Sequence, residues 1–184
     1  MASMPAFLCA ALTVFALGAC SPKYNWRDYA SPDAGYRVTF PAKPSSATRS
    51  VDLDGMRVSM TMTAAEVDGA TFAVGAAEAP DAARARAALD AMRLALLRNI
   101  DAAPTAGRTA SASASSSATE GGTSRAVVDV DATGSARNGQ AQPLRLVGHF
   151  EARGTRFYQV IVVAKDKAVP PEQIEQFLTS FTLH

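Results

Sequence analysis

His149 and Glu151 lie two residues apart in a stretch that alternates apolar and polar residues from Leu144 to Glu151, so both fall on one face of a strand. An imidazole beside a carboxylate is the raw material of an acid–base pair or of a metal site. For a metal the supply is short: structural zinc takes four nitrogen or sulfur ligands and catalytic zinc three. The chain has two histidines, the second being His184, and two cysteines, Cys9 and Cys20. The expected reading of His149 and Glu151 is a polar pair facing solvent. A Ser–His–Asp set would need His149 as its base, with Asp129 or Asp131 orienting it. No serine sits in a Gly-x-Ser-x-Gly or Ser-x-x-Lys pattern to act as the nucleophile. Asp52 with Asp54, and Asp129 with Asp131, supply the two carboxylates that glycoside hydrolysis requires. Both pairs read as strand-end or turn residues, where aspartate is common for conformational reasons. Gly121-Gly122 is not set between a strand and a helix, so it forms no phosphate loop. Met56, Met60 and Met62 offer thioethers, which are ligands for copper(I). Met60 and Met62 share a strand face, but Val58 shares it too and methionine is a common core filler, so packing is the expected role. The reading is therefore no catalytic residue and no cofactor, with Met60, Met62 and His149 as weak metal candidates.

These side chains need elements to hold them. Tyr36, Val38 and Phe40 alternate with Arg37 and Thr39 before Pro41 and Pro44 end the strand. Ala47 to Leu53 is a second extended run, and Asp54-Gly55 is a strong hairpin signal. Met56 to Ala65 then shows period 2, with the methionines and Val58 on one side and Arg57, Ser59, Thr61 and Thr63 on the other. Asp68-Gly69 marks a further turn, and Thr71 to Ala77 a fourth strand. The period then changes. Asp81 is placed to cap a helix whose apolar stripe is Ala85, Leu89, Met92, Leu96 and Ile100. Arg84, Arg86, Arg93 and Arg98 fall off that stripe, on a face expected to be solvated. Pro104 to Ser124 is rich in alanine and serine, buries little apolar area and reads as a loop. Ala126 to Val130, Leu144 to Glu151 and Phe157 to Ala164 are the remaining strands, with a turn at Asn138-Gly139. The run from Phe157 to Ala164 is apolar on both faces, as in a central strand covered on both sides. Pro170-Pro171 open a last helix with Ile174, Phe177, Leu178 and Phe181 on its apolar stripe. The expectation is an α+β fold: an antiparallel sheet of about seven strands flanked by two helices in the order ββββ-α-βββ-α.

Trp26 and the entry Tyr36-Arg37-Val38-Thr39-Phe40-Pro41-Ala42-Lys43-Pro44 resemble the opening of PsbP/Mog1-like α/β/α sandwiches. Phe157-Tyr158-Gln159-Val160 and Phe177-Leu178-Thr179-Ser180-Phe181 resemble their closing strand and helix. Members of that fold are mostly adaptors and assembly factors, which implies a non-catalytic role and carries over no functional residue.

The start of the chain carries a second resemblance. The 12 residues Ala6 to Leu17 are largely apolar, and Leu17-Gly18-Ala19-Cys20 closes them with small residues before a cysteine. A bilayer span needs about 20 residues, whereas a shorter run of this kind reads as a signal sequence. The tetrapeptide resembles the lipobox of bacterial envelope lipoproteins. That resemblance implies cleavage between Ala19 and Cys20, lipid on Cys20, and retention at the envelope. Ser21 after the cysteine, where inner-membrane retention signals often place aspartate, implies the outer membrane with the domain facing the periplasm. The expected organisation is a signal peptide at 1–19, the lipidated cysteine and tether at 20–32, and one α+β domain at 33–184 with a flexible loop at about 104–124. A net charge of +1 gives no electrostatic case for nucleic acid. The partners expected are the bilayer, through acylated Cys20, and a protein of the envelope. A small-ligand or metal-binding lipoprotein is the alternative, and a cell-wall hydrolase the third reading.

Overall fold

The computed structural model describes residues 22–103, 125–135 and 142–184. The signal sequence, Ala19, Cys20, the Ala/Ser-rich tract 104–124 and the Asn138-Gly139 turn lie outside the described residues.

The fold is α+β, with two helices and two open antiparallel sheets. A six-stranded sheet runs in the order β3-β4-β5-β8-β7-β6. Its strands are β3 (Ser45–Leu53), β4 (Met56–Val67), β5 (Ala70–Glu78), β6 (Arg125–Ser135), β7 (Pro143–Arg153) and β8 (Arg156–Lys165). Tight turns link β3 to β4, β4 to β5 and β7 to β8, with Gly55, Gly69 and Gly154 at positive φ. Hairpin links of this kind enforce antiparallel neighbours. β8 is the central strand that its apolar run predicts, bonded to β5 on one side and β7 on the other.

One face of this sheet is covered by α1 (Ala82–Asn99), whose buried residues include Ala85, Leu89 and Met92. Asp81 caps the helix: its Oδ1 accepts the Arg84 N–H at 2.8 Å. The expected stripe drifts at its far end, where Leu97 is buried and Leu96 only partly so. The helix end is docked on β6, with the Ser135 N–H donating to the Ile100 carbonyl at 2.6 Å. Gly134 permits that approach, because a Cβ there would collide with the Ile100 carbonyl.

The opposite face is covered by α2 (Pro171–Ser180) and a three-stranded sheet, β1-β2-β9, built from Arg27–Ser31, Tyr36–Phe40 and Thr182–Leu183. Among the described residues there are thus nine strands rather than about seven. The two extra strands, β1 and β9, lack a strong alternating pattern of their own. β1 takes its place by pairing with β2 inside the stretch read as tether, and β9 is two residues held by the other edge of β2. Trp26 packs edge-on against Phe72 with ring centres 6.5 Å apart. Tyr36, Val38 and Phe40 turn inward onto Phe72, Val74, Tyr158 and Val160, and Phe177 of α2 completes the cluster. The two helices therefore lie on opposite faces of the large sheet, as expected, but a second sheet shares one face with α2. Among the described residues no helix is long and apolar enough to cross a membrane.

Candidate functional site

The pleat of β6 and β7 decides which charged residues meet. Directly opposed residues share a face, and the register pairs Arg125 with Arg153, Val127 with Glu151, and Asp129 with His149. The intervening residues, Ala126, Val130, Phe150 and Ala152, turn to the α1 side and are buried there. The charged set turns the other way, where the three-stranded sheet and the end of α2 stop short of β6. The result is a cleft of about 520 Å³. Its floor is Arg125, Asp129, His149, Glu151 and Arg153, and its wall is Leu178, Thr179, Phe181, Thr182 and Leu183.

Glu151 is the hub. Its side chain is only 6 % exposed, whereas a buried carboxylate is tolerated only when paired and hydrogen-bonded. Arg125 supplies a two-pronged bridge, with Nε donating to Oε1 at 2.7 Å and Nη2 to Oε2 at 3.3 Å. Arg153 Nε lies 3.9 Å from Oε1 and His149 Nε2 lies 3.5 Å from Oε2. On its other side His149 donates from Nδ1 to Asp129 Oδ1 at 2.7 Å. Phe181 leans on the imidazole at a ring separation of 6.4 Å.

Electrostatics follow from this geometry. Burial disfavours the His149 cation, but the hydrogen bonds to Asp129 and Glu151 outweigh it and raise its pKa from 6.5 to about 9. Burial also works against the Glu151 anion, and His149 and Arg125 together outweigh it, taking the carboxyl from 4.5 down to about 2. Among the described residues the floor holds, at neutral pH, three cations, Arg125, Arg153 and His149, against two anions, Glu151 and Asp129. An imidazole with a carboxylate at each nitrogen is held as the imidazolium and presents no lone pair to a substrate proton. This network orients positive charge.

The structure separates the sequence candidates. His149 and Glu151 do share a face, but not as a solvent-exposed pair: Glu151 is buried, and α2 and β9 overhang the strand at this point. Asp129 meets His149, whereas Asp131 bridges Arg145 with bonds of 2.9 and 2.8 Å. Both aspartates sit mid-strand in β6, not at a turn. In the Ser–His–Asp reading, the place of a serine at Nε2 is taken by Glu151. Asp52 is the turn residue expected, its Oδ1 accepting the Gly55 N–H at 2.7 Å. Met60 and Met62 lie on the α1 face of β4, and His149 lies on the other face of β7, with β5 and β8 between them. Those three weak metal candidates do not converge. Met62 Sδ instead accepts from Gln159 Nε2 at 3.3 Å, across the gap left by Gly75. Among the described residues no group of three or more His, Cys, Asp or Glu side chains is arranged to hold a metal ion.

Arg125 and Arg153 were not singled out by sequence reasoning. The usable signal was the pleat: Arg153 is in phase with His149 and Glu151, and Arg125 falls opposite Arg153 once the register of β6 on β7 is known. The chain matches no protein-family model and no curated protein.

Proposed function

We propose that this chain is a lipid-anchored module of the bacterial envelope that acts without catalysis, by binding another protein. The observation that carries the reading is the charged cleft beside β9, the outer strand of its sheet among the described residues, placed far from the point where the chain enters the domain. Lys23 bridges Asp68 at 3.1 Å, at the β4–β5 turn. The Glu151 row of the sheet passes through Ala76, six residues along β5 from Ala70, or about 20 Å at strand rise. Cys20 precedes Lys23 by three residues, about 10 Å of extended chain. Acyl chains on Cys20 would therefore lie near the Asp68 end and leave the cleft turned away from the bilayer, toward the periplasm. Outer-membrane placement follows from Ser21. Two or three acyl chains would make release slow, and tethering raises the effective concentration of the module at the membrane. The three layers, α1, the six-stranded sheet, and α2 with the small sheet, support the finer assignment to a PsbP/Mog1-like sandwich.

Photo-crosslinking in cells followed by mass spectrometry tests the interaction. A recurrent envelope partner is expected, and an isolated domain counts against the reading. Cys20→Ala should abolish fatty-acid labelling and move the chain out of the membrane fraction; retention of both overturns the anchor.

The cleft volume also falls in the range of small-ligand sites, which keeps a small anionic ligand as the second reading. A thermal-shift screen with carboxylates and phosphates separates the two, since a rise of several degrees favours the ligand. The hydrolase reading finds little support: both imidazole nitrogens face carboxylates, and the carboxylates of Asp129 and Asp131 are held by His149 and Arg145. Clearing on a peptidoglycan gel would restore it.

A further inference from the structure

We infer that the cleft receives an extended segment of the partner, added as a fourth strand beside β9, with acidic side chains at alternate positions. The inference rests on the interaction reading above and specifies its mode.

Backbone geometry comes first. The His184 N–H donates to the Gly35 carbonyl at 3.1 Å, and Tyr36 is opposed to Leu183 and Arg37 to Thr182. In an antiparallel ladder, hydrogen-bonded and non-bonded pairs alternate. His184 belongs to a bonded pair, so the N–H and C=O of Leu183 point away from β2. Among the described residues β9 is the outer strand of its sheet on that side, and the residues of β9 line the cleft. The edge of β9 therefore presents a donor and an acceptor to whatever occupies the cleft, the arrangement used in strand addition.

The floor then selects the side chains. A strand laid beside β9 runs over β6 and β7, and every second side chain points down onto them. What it meets there is Arg125, Arg153 and the His149 imidazolium, held in place by buried Glu151. Arg125 and Arg153 keep 41 % and 44 % of their side-chain surface exposed. A downward carboxylate gains a charge-assisted contact with these guanidinium groups, and a downward lysine is repelled. The apolar wall of Leu178, Phe181 and Leu183 gives intervening aliphatic groups a surface to cover. Charge complementarity and the outward-facing N–H and C=O of Leu183 point to the same occupant, an acidic β-strand of a protein.

The test uses the full chain in detergent and a fluorescent, capped peptide of alternating Glu and Val, read by anisotropy. Three probes accompany it: the Gln/Val counterpart, the Glu/Val peptide with every other amide N-methylated in each phase, and inorganic phosphate as competitor. Expected are saturable binding of the Glu/Val peptide, binding about tenfold weaker for the Gln/Val peptide and for Arg153→Gln, and loss of binding with one methylation phase only. Equal affinity for both methylated phases overturns strand addition. Displacement by equimolar phosphate overturns it in favour of a free anion. Photo-crosslinking from Thr182 against crosslinking from exposed Arg49 of β3 separates this mode from the parent reading. A partner caught from Arg49 alone sinks the cleft and spares the interaction, whereas no partner from either position sinks both. A partner crosslinked to Thr182 through a segment with alternating acidic residues supports the mode.

Discussion

The two faces of β7 are made from one stretch of sequence and meet opposite physical demands. On the α1 side, Leu146, Phe150 and Ala152 are buried among aliphatic and aromatic neighbours. On the other side, Glu151 is nearly as deep in the fold but charged, and His149 is half-buried beside it, with Arg125, Arg153 and Asp129 around them. Dispersion and the release of water hold the first face, and its contacts need only shape. The second holds charge, which stays buried only while every member keeps its partner. A face of the first kind is replaceable by other apolar residues of similar volume. A face of the second kind is sensitive to single atoms, and such sensitivity is what a recognition surface requires.

Deleting volume on the dry face should give the largest effect. Phe150 is fully buried, and Phe150→Ala is expected to lower stability by about 3–5 kcal/mol, measured by urea denaturation. A loss below about 1 kcal/mol would mean that the α1 face is not the packed one. On the charged face, Glu151→Leu, which leaves the cations around it without their shared partner, should cost less. About 2 kcal/mol is expected after allowing for the partial exposure of the arginines. The double variant Arg125→Leu/Glu151→Leu should recover part of that loss. If the two changes simply add, Arg125 and Glu151 are not coupled.

The pH dependence sharpens the contrast, because only the charged face titrates. His149 carries a raised pKa, so its contribution is complete below 6.5 and is lost as pH rises through about 9. Glu151 carries a lowered pKa, so its contribution is complete above 4.5 and is lost as pH falls through about 2. Stability should be greatest between about pH 4.5 and 6.5 and decline toward pH 9. His149→Gln should flatten the alkaline decline, whereas Phe150→Ala should keep it. An identical alkaline slope in wild type and His149→Gln would remove His149 from the network. The smallest effect belongs to Arg145→Ala, whose bridge to Asp131 is partly exposed; under about 1 kcal/mol is expected.

Much of the fold was legible because it obeys local rules. The Asp54-Gly55 and Asp68-Gly69 turns, the period-2 run of β4, the Asp81 cap and the doubly apolar β8 each require a particular residue type for a backbone or solvent reason. β1 and β9 escaped because their stability comes from β2, a partner that neither segment names. The cleft was half legible. His149 and Glu151 were paired from their spacing alone, but their burial depends on α2 and β9 passing overhead, and no spacing within β7 records that.

By itself the sequence determined the periodicities, turns and caps, hence two helices and antiparallel strands, because those rest on φ/ψ preference and on which side of a strand meets water. Only the tertiary structure decided that Arg125, drawn from another strand, meets Glu151, that Asp129 rather than Asp131 holds His149, and that the methionines lie on the opposite face. Register is the physical reason. With a side-chain period of two, sliding β6 by a single residue would turn Arg125 and Asp129 into the α1 core, and the choice of register is made by the packing of both faces at once.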